Sequence, residues 1–275
     1  MSEQRREGSD EPAPTGSRHA WTGPAESFAW LSIARVPAAA SARGVLPWAP
    51  LVGLVLGALA TVAGWLGGRY ASPLVGAVLA VAVLAALTRG LHLDGLADTA
   101  DGLGPLRGRE RALEVMRAGD VGPFGVVTLV LTVLLQVACL GQLFTVDGGW
   151  IALPAATVAA RVAMARTGLP GTPIAAGSSL GAAVAGTVSR RWLVGSAVLV
   201  LAAVAVAALV AGHGGSAGSE RAVASVLAVG AGWLAAEVLR RHASARLGGV
   251  NGDVMGALGE VTAVVTLLCA AVLLR

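Results

Sequence analysis

The chain has 275 residues, 55% of them hydrophobic and only 13% charged, whereas a soluble domain carries about 25% charged residues. Its 20 basic residues are all arginine, and no basic stripe is interleaved with aromatics, which argues against nucleic acid as a partner despite a pI near 10.3. Several apolar runs approach the ~18–20 residues that span a bilayer, and they are too long and unbroken for barrel strands. The expected fold is all-α, a polytopic membrane helical bundle with the lipid bilayer as its surroundings.

In chain order, residues 1–25 are polar and rich in Pro, Gly and Ser, and read as a disordered tail. No apolar stretch follows closely on a basic start, so no signal peptide is expected. The remainder, 26–275, reads as one integral-membrane domain. Residues 28–36 suit a short interfacial helix ended by Arg35 and Pro37. Seven spans are expected, at about 47–67, 73–88, 121–144, 150–166, 192–211, 222–239 and 257–274. A polar segment, 89–120, separates the second from the third. Arg161 lies well inside the fourth. Cys139 and Cys269 fall in apolar runs and read as small buried hydrophobes. Every arginine except Arg69, Arg221 and Arg275 falls before span one, in the segments 89–120, 167–191 and 240–256, or in the adjoining half of span four. The positive-inside rule therefore puts the N-terminus and those loops in the cytoplasm of a multi-pass cell-membrane protein.

The chemistry concentrates in two of these loops. Asp94, Asp98 and Asp101 stand at i, i+4 and i+7, so on a helix they share one face. Two carboxylates ~6 Å apart at an effective dielectric of ~20 repel by roughly 3 kcal/mol, enough to call for a cation. An oxygen-only set suits a hard divalent ion, Mg²⁺. The second segment, G-G-V-N-G-D-V-M-G, carries Asn251, Gly252 and Asp253, with Glu260 seven residues after Asp253. Arg107, Arg109, Arg111, Arg117 and Arg161 are candidates for phosphate, with Asp120 closing the polar segment. His92, beside the acids, is a candidate base. Carboxylates with a metal, arginines and bare glycine backbone suit phosphoryl or nucleotidyl transfer. No Walker A, dinucleotide fingerprint, Ser–His–Asp or H-E-x-x-H arrangement is present.

Three segments together carry a resemblance: H-L-D-G-L-A-D-T-A-D-G-L (residues 92–103), E-V-M-R-A-G-D-V-G-P-F-G-V (114–126) and G-G-V-N-G-D-V-M-G-A-L-G-E (248–260). They resemble the signatures of the cobalamin synthase family, also called adenosylcobinamide-GDP ribazoletransferases, with the likeness running from about Phe28 onward. Asn251 stands where that family often has Thr, and Val254-Met255 where Thr-Leu is common. The resemblance implies a Mg²⁺-dependent membrane enzyme that joins adenosylcobinamide-GDP to α-ribazole or its 5′-phosphate and releases GMP. On that reading Asp94, Asp98, Asp101 and Asp253 hold metal. His92 joins Asp94, Asp98 and Asp101 in catalysis, and Arg107, Arg117, Asp120, Arg161, Asn251 and Gly252 contact substrate.

Two alternatives are open. A CDP-alcohol-type phosphotransferase would need an Ala-Arg pair after D-G, where this chain has Leu96-Ala97. A transporter would need its acids near the membrane midplane. A single site further requires that spans two and seven meet at the cytoplasmic surface. Asp253 would then lie within one coordination shell of Asp94 and Asp98, and Arg117 or Arg161 would reach the same cavity.

Overall fold

A computed structural model describes residues 22–36, 42–104 and 108–274. Arg107 and most of the expected polar tail lie outside the described residues. Within them the chain is helical, with no strand and a single parallel bridge between Ile174 and Val250.

α1 (Thr22–Leu31) packs against the start of α2 (Val45–Tyr70), where the Glu26 carboxylate accepts from the Gly44 amide at 2.7 Å. α2 and α3 (Pro73–Leu87) form a tight antiparallel hairpin. Ser72 caps α3 by accepting from the Val75 amide, and Pro73 opens the helix where its missing N–H costs nothing. The pair approaches backbone to backbone. A Cβ on Gly67 would stand 2.9 Å from the Gly76 Cα, and one on Gly76 would strike the Gly64 carbonyl. Without a hydrophobic drive between helices in lipid, such close packing is what holds them together.

After α3 the chain turns by 88° into α4 (Leu91–Leu103). Arg89 and Gly90 make the corner in the left-handed region, at φ 57° and 67°, and the arginine there pays roughly 1–2 kcal/mol in steric strain. α4 therefore runs across the end of the bundle rather than along it. α5 (Arg109–Arg117) follows at the same end.

The chain then passes back and forth through α6 (Pro123–Leu143), α7 (Ala152–Ala165), α9 (Arg190–Ala211), α10 (Gly215–Leu247) and α11 (Gly252–Leu273), with the short α8 (Ser179–Val184) before α9. Asp147, Gly148, Ala211, Arg221 and Leu274 meet around one hollow at the far end. The site end holds α4, α5 and the turns around residues 175 and 250.

Among the described residues five helices, α2, α6, α9, α10 and α11, are long and apolar enough to cross a membrane, and α3 with α4 makes a sixth if the bent pair is one span. The protein is a multi-pass membrane protein. The span expected at 150–166 is α7, only 14 residues long between two 3₁₀ turns. It is the central helix, buried on almost every side by α2, α9, α10 and α11. Glycines in α2 let it approach: a Cβ on Gly53 would stand 2.6 Å from the Thr157 carbonyl oxygen. α9 is the opposite case, peripheral and mostly uncovered.

Candidate active site

The acidic α4 segment and the start of α11 meet although about 150 residues separate them, and two glycines decide how closely. A Cβ on Gly95 would lie 2.8 Å from the Asp253 carbonyl oxygen and 2.9 Å from its Cα. One turn further along α11, a Cβ on Gly256 would lie 3.2 Å from the His92 Cα. Any larger residue at Gly95 would push the two acidic segments apart.

Asn251 fixes the start of α11. Its side-chain oxygen accepts from the Val254 amide at 2.9 Å, a standard helix cap, while its amide nitrogen donates to an Asp253 carboxylate oxygen at 2.8 Å. Asp98, half-buried, lies within electrostatic reach of Asp94, Asp253 and, more weakly, Asp101. Asp253 in turn is within reach of Asp94. Among the described residues no arginine forms a salt bridge with Asp94, Asp98 or Asp253.

Asp101 does not join them on equal terms. It is buried, and its two carboxylate oxygens accept from the Gly122 amide at 2.7 Å and the Gly125 amide at 3.0 Å. It caps the N-terminus of α6, where negative charge also suits the helix dipole. The helical spacing that puts it on the face of Asp94 and Asp98 also aims it at α6, and the open N–H groups there take both of its oxygens. Of the expected metal ligands it is the one whose two oxygens are both engaged by the backbone of a neighbouring helix.

Beside the crossing lies a cavity of about 280 Å³, lined among others by His92, Arg117, Ser179, Asn251, Gly252 and Asp253. His92 is 1% exposed, and neither ring nitrogen has a hydrogen-bond partner among the described residues. Arg117 reaches the cavity from α5 and donates to the Ala176 carbonyl at 2.5 Å, with its guanidinium against Gly177. Arg109, from the other end of α5, lies against Gly248. α5 thus straps two turns that a pair of backbone hydrogen bonds also joins: Ala175 N–H to the Val250 carbonyl, and Val250 N–H to that of Pro173.

Two expected substrate residues, Arg161 and Asp120, lie elsewhere, and so does Glu260. Arg161 is 4% exposed inside the bundle, beside Met164, and does not line the cavity. It sits on the enclosed α7, which has no free surface for it. Glu260, two turns along α11 from Asp253, accepts from Gln136 at 2.9 Å and belongs to the same interior polar group as Arg161. Asp120 is exposed in the turn before α6 and also stands off the cavity. Conversely, the sequence reading gave no role to residues 176–180, which form a wall of the cavity. The Gly177-Ser178-Ser179 run was the available signal.

A magnesium ion was tested against these side chains. Among the described residues no three His, Cys, Asp or Glu side chains converge as a metal-holding group. Mg²⁺ does not need three: it is commonly held by one or two carboxylates, with water and substrate phosphate completing the octahedron. Asp94 and Asp98, hard oxygen donors without a protein cation, fit that requirement.

The Cobalamin-5-phosphate synthase family model matches residues 25–271. The chain is 43% identical over 229 residues to the adenosylcobinamide-GDP ribazoletransferase of Frankia casuarinae, covering 80% of this chain and 82% of the relative. To the protein of the same name from Corynebacterium efficiens it is 35% identical over 250 residues, 88% of each chain. To that from Sinorhizobium medicae it is 34% identical over 271 residues, 92% of this chain and 97% of the relative. No solved structure matches.

Proposed function

The chain belongs to the Cobalamin-5-phosphate synthase family, and on that premise we propose that the crossing of α4 and α11 is where it makes and breaks bonds to phosphorus. The protein is a transferase of cobalamin biosynthesis acting at the final assembly step. Its substrates are adenosylcobinamide-GDP and α-ribazole or α-ribazole 5′-phosphate, and its products are GMP and adenosylcobalamin or the 5′-phosphate of it. The ribose hydroxyl of the ribazole attacks the phosphorus on the cobinamide side of the pyrophosphate. One P–O bond forms, the P–O bond to GMP breaks, and the hydroxyl proton passes to a carboxylate at the crossing.

The observation that carries this reading is the meeting of unneutralised Asp94, Asp98 and Asp253 beside a cavity that also holds Arg117 and His92. A pyrophosphate brought there supplies the negative charge that Arg117 answers through its remaining N–H groups. Asp94 and Asp98 would hold Mg²⁺, with Asp253 beside them, and the ion would supply positive charge for the phosphate oxygens. Asn251 and Gly252 position Asp253 and leave backbone open to the substrate. His92, with both ring nitrogens lacking a protein partner, is placed to hydrogen-bond a substrate oxygen at the cavity wall. The cavity is far smaller than a corrin, so it takes the pyrophosphate and ribose, and the corrin stays outside it.

By the arginine asymmetry between the bundle ends, the site faces the cytoplasm of the cell membrane. The test is purified protein in detergent with adenosylcobinamide-GDP, α-ribazole and Mg²⁺, with GMP release measured. GMP appears with the complete mixture and stops when the metal is chelated. Release that is unaffected by chelation, or near-normal in both Asp94→Asn and Asp98→Asn, would overturn the assignment of the metal to this crossing.

A further inference from the structure

A second charged centre lies on the other face of α7. Glu237, on α10, is the focus of three arginines. Arg240 donates to both of its oxygens at 2.8 Å, Arg241 donates to one at 2.8 Å, and Arg166 stands 3.9 Å away. Arg190, at the start of α9, lines an adjoining hollow with Arg166 and Arg240. Three guanidinium groups therefore gather at one carboxylate, and a fourth, that of Arg190, stands next to them. The positive groups outnumber the single carboxylate of Glu237, so a further anion would be attracted to them.

Directly beside the arginines is a cavity of about 380 Å³ between α7, α9 and α10. Its remaining walls are apolar: Val162, Leu193, Ala197, Trp233 and Leu258. It shares no lining residue with the cavity at the acidic crossing. It opens beside α9, whose outward face carries exposed Val194, Val198 and Leu199. A soluble phosphate would have no use for such walls. An anion joined to a hydrocarbon chain matches both halves.

We propose that this groove is a binding site for an anionic glycerophospholipid, with the headgroup phosphate held by Arg166, Arg190 and Arg240 and an acyl chain lying against Trp233 between α9 and α10. Guanidinium groups bind phosphate through paired N–H donors, and basic pockets between membrane helices are known to take anionic headgroups. The lipid would complete the loose contact that α9 makes with the rest of the bundle.

The test uses the full chain in detergent, titrated with phosphatidylglycerol, with phosphatidylcholine of the same acyl chains, and with inorganic phosphate. Binding is read by native mass spectrometry and by quenching of tryptophan fluorescence with brominated acyl chains. Phosphatidylglycerol is expected to bind at least about fivefold more tightly than phosphatidylcholine, and Arg166→Gln with Arg190→Gln to abolish that preference. Trp233→Phe should remove a distinct part of the quenching. Ala197→Trp, which fills the apolar half and leaves the arginines alone, should weaken phosphatidylglycerol as well. Equal binding of the two lipids, inorganic phosphate competing as well as the lipid does, or quenching unchanged by Trp233→Phe would each overturn the proposal.

Discussion

Asp94 and Asp101 stand on one face of α4, yet Asp101 has both oxygens on the first amides of α6 while Asp94 is exposed and carries none of those bonds. Substitution should separate them. Asp94→Asn is expected to lower turnover about 100-fold or more, on the scale of removing one electrostatic stabiliser of the reacting centre, with the melting temperature unchanged. Asp101→Ala is expected to cost about 1–3 kcal/mol of stability, the worth of a charged hydrogen-bonded cap. GMP release and thermal unfolding measured on both proteins check this. Gly95→Ala belongs to the same scale. Its new Cβ would enter the space 2.8 Å from the Asp253 carbonyl oxygen, so a loss of about 10–100-fold in rate is expected from misplacement alone. A rate within twofold of the parent would mean that the crossing tolerates separation. The sequence showed the i, i+4, i+7 acids because helical periodicity is local. It could not show Asp101 as a cap, because that bond depends on where Gly122 arrives after α5.

α5 is nine residues long and touches both turns that frame the cavity through its terminal arginines, Arg109 at Gly248 and Arg117 at Gly177. Arg117→Gln removes the charge and the bond to the Ala176 carbonyl. The expected result is a KM for adenosylcobinamide-GDP raised about tenfold, with kcat reduced less, because a binding wall is loosened while the carboxylates keep their places. Steady-state kinetics that show kcat falling and KM unchanged would place Arg117 in the chemical step instead. Helix existence was readable from apolar runs, since length and hydropathy are properties of a segment. The 88° turn at Arg89–Gly90 was not, because only the glycine hinted at left-handed backbone. Nor was the enclosure of α7: its Ala-rich sequence reads as a span until α2 and α11 are seen to cover it. Arg161 was placed near phosphate for that reason, although its face of α7 turns it toward Met164 and Glu260 inside the bundle.

Across the whole molecule, arginines crowd the site end, and among the described residues Arg69 and Arg221 mark the other. In a background with Cys139 and Cys269 replaced by alanine, a cysteine at exposed Arg111 or Ser179 should resist an impermeant thiol reagent in intact cells. A cysteine at Ser216 should be labelled. The opposite pattern would invert the orientation. The charge asymmetry was legible from sequence because it needs only the order of the spans. The joining of loops 89–120, 172–181 and 248–253 into one site was legible only in part, through the glycines that permit it.

The passes through the bundle leave residue 22 and residue 274 at opposite ends, with α1 beside the start of α2 at the end that holds the acidic crossing and Leu274 in the hollow with Asp147 and Arg221. α2 alone, at 26 residues, separates those ends by about 39 Å. That distance sets a rule for tethering. A soluble enzyme that supplies the nucleotide-activated substrate can be fused ahead of α1 and deliver its product within reach of the site. The same enzyme fused after α11 would start from the opposite end of the bundle.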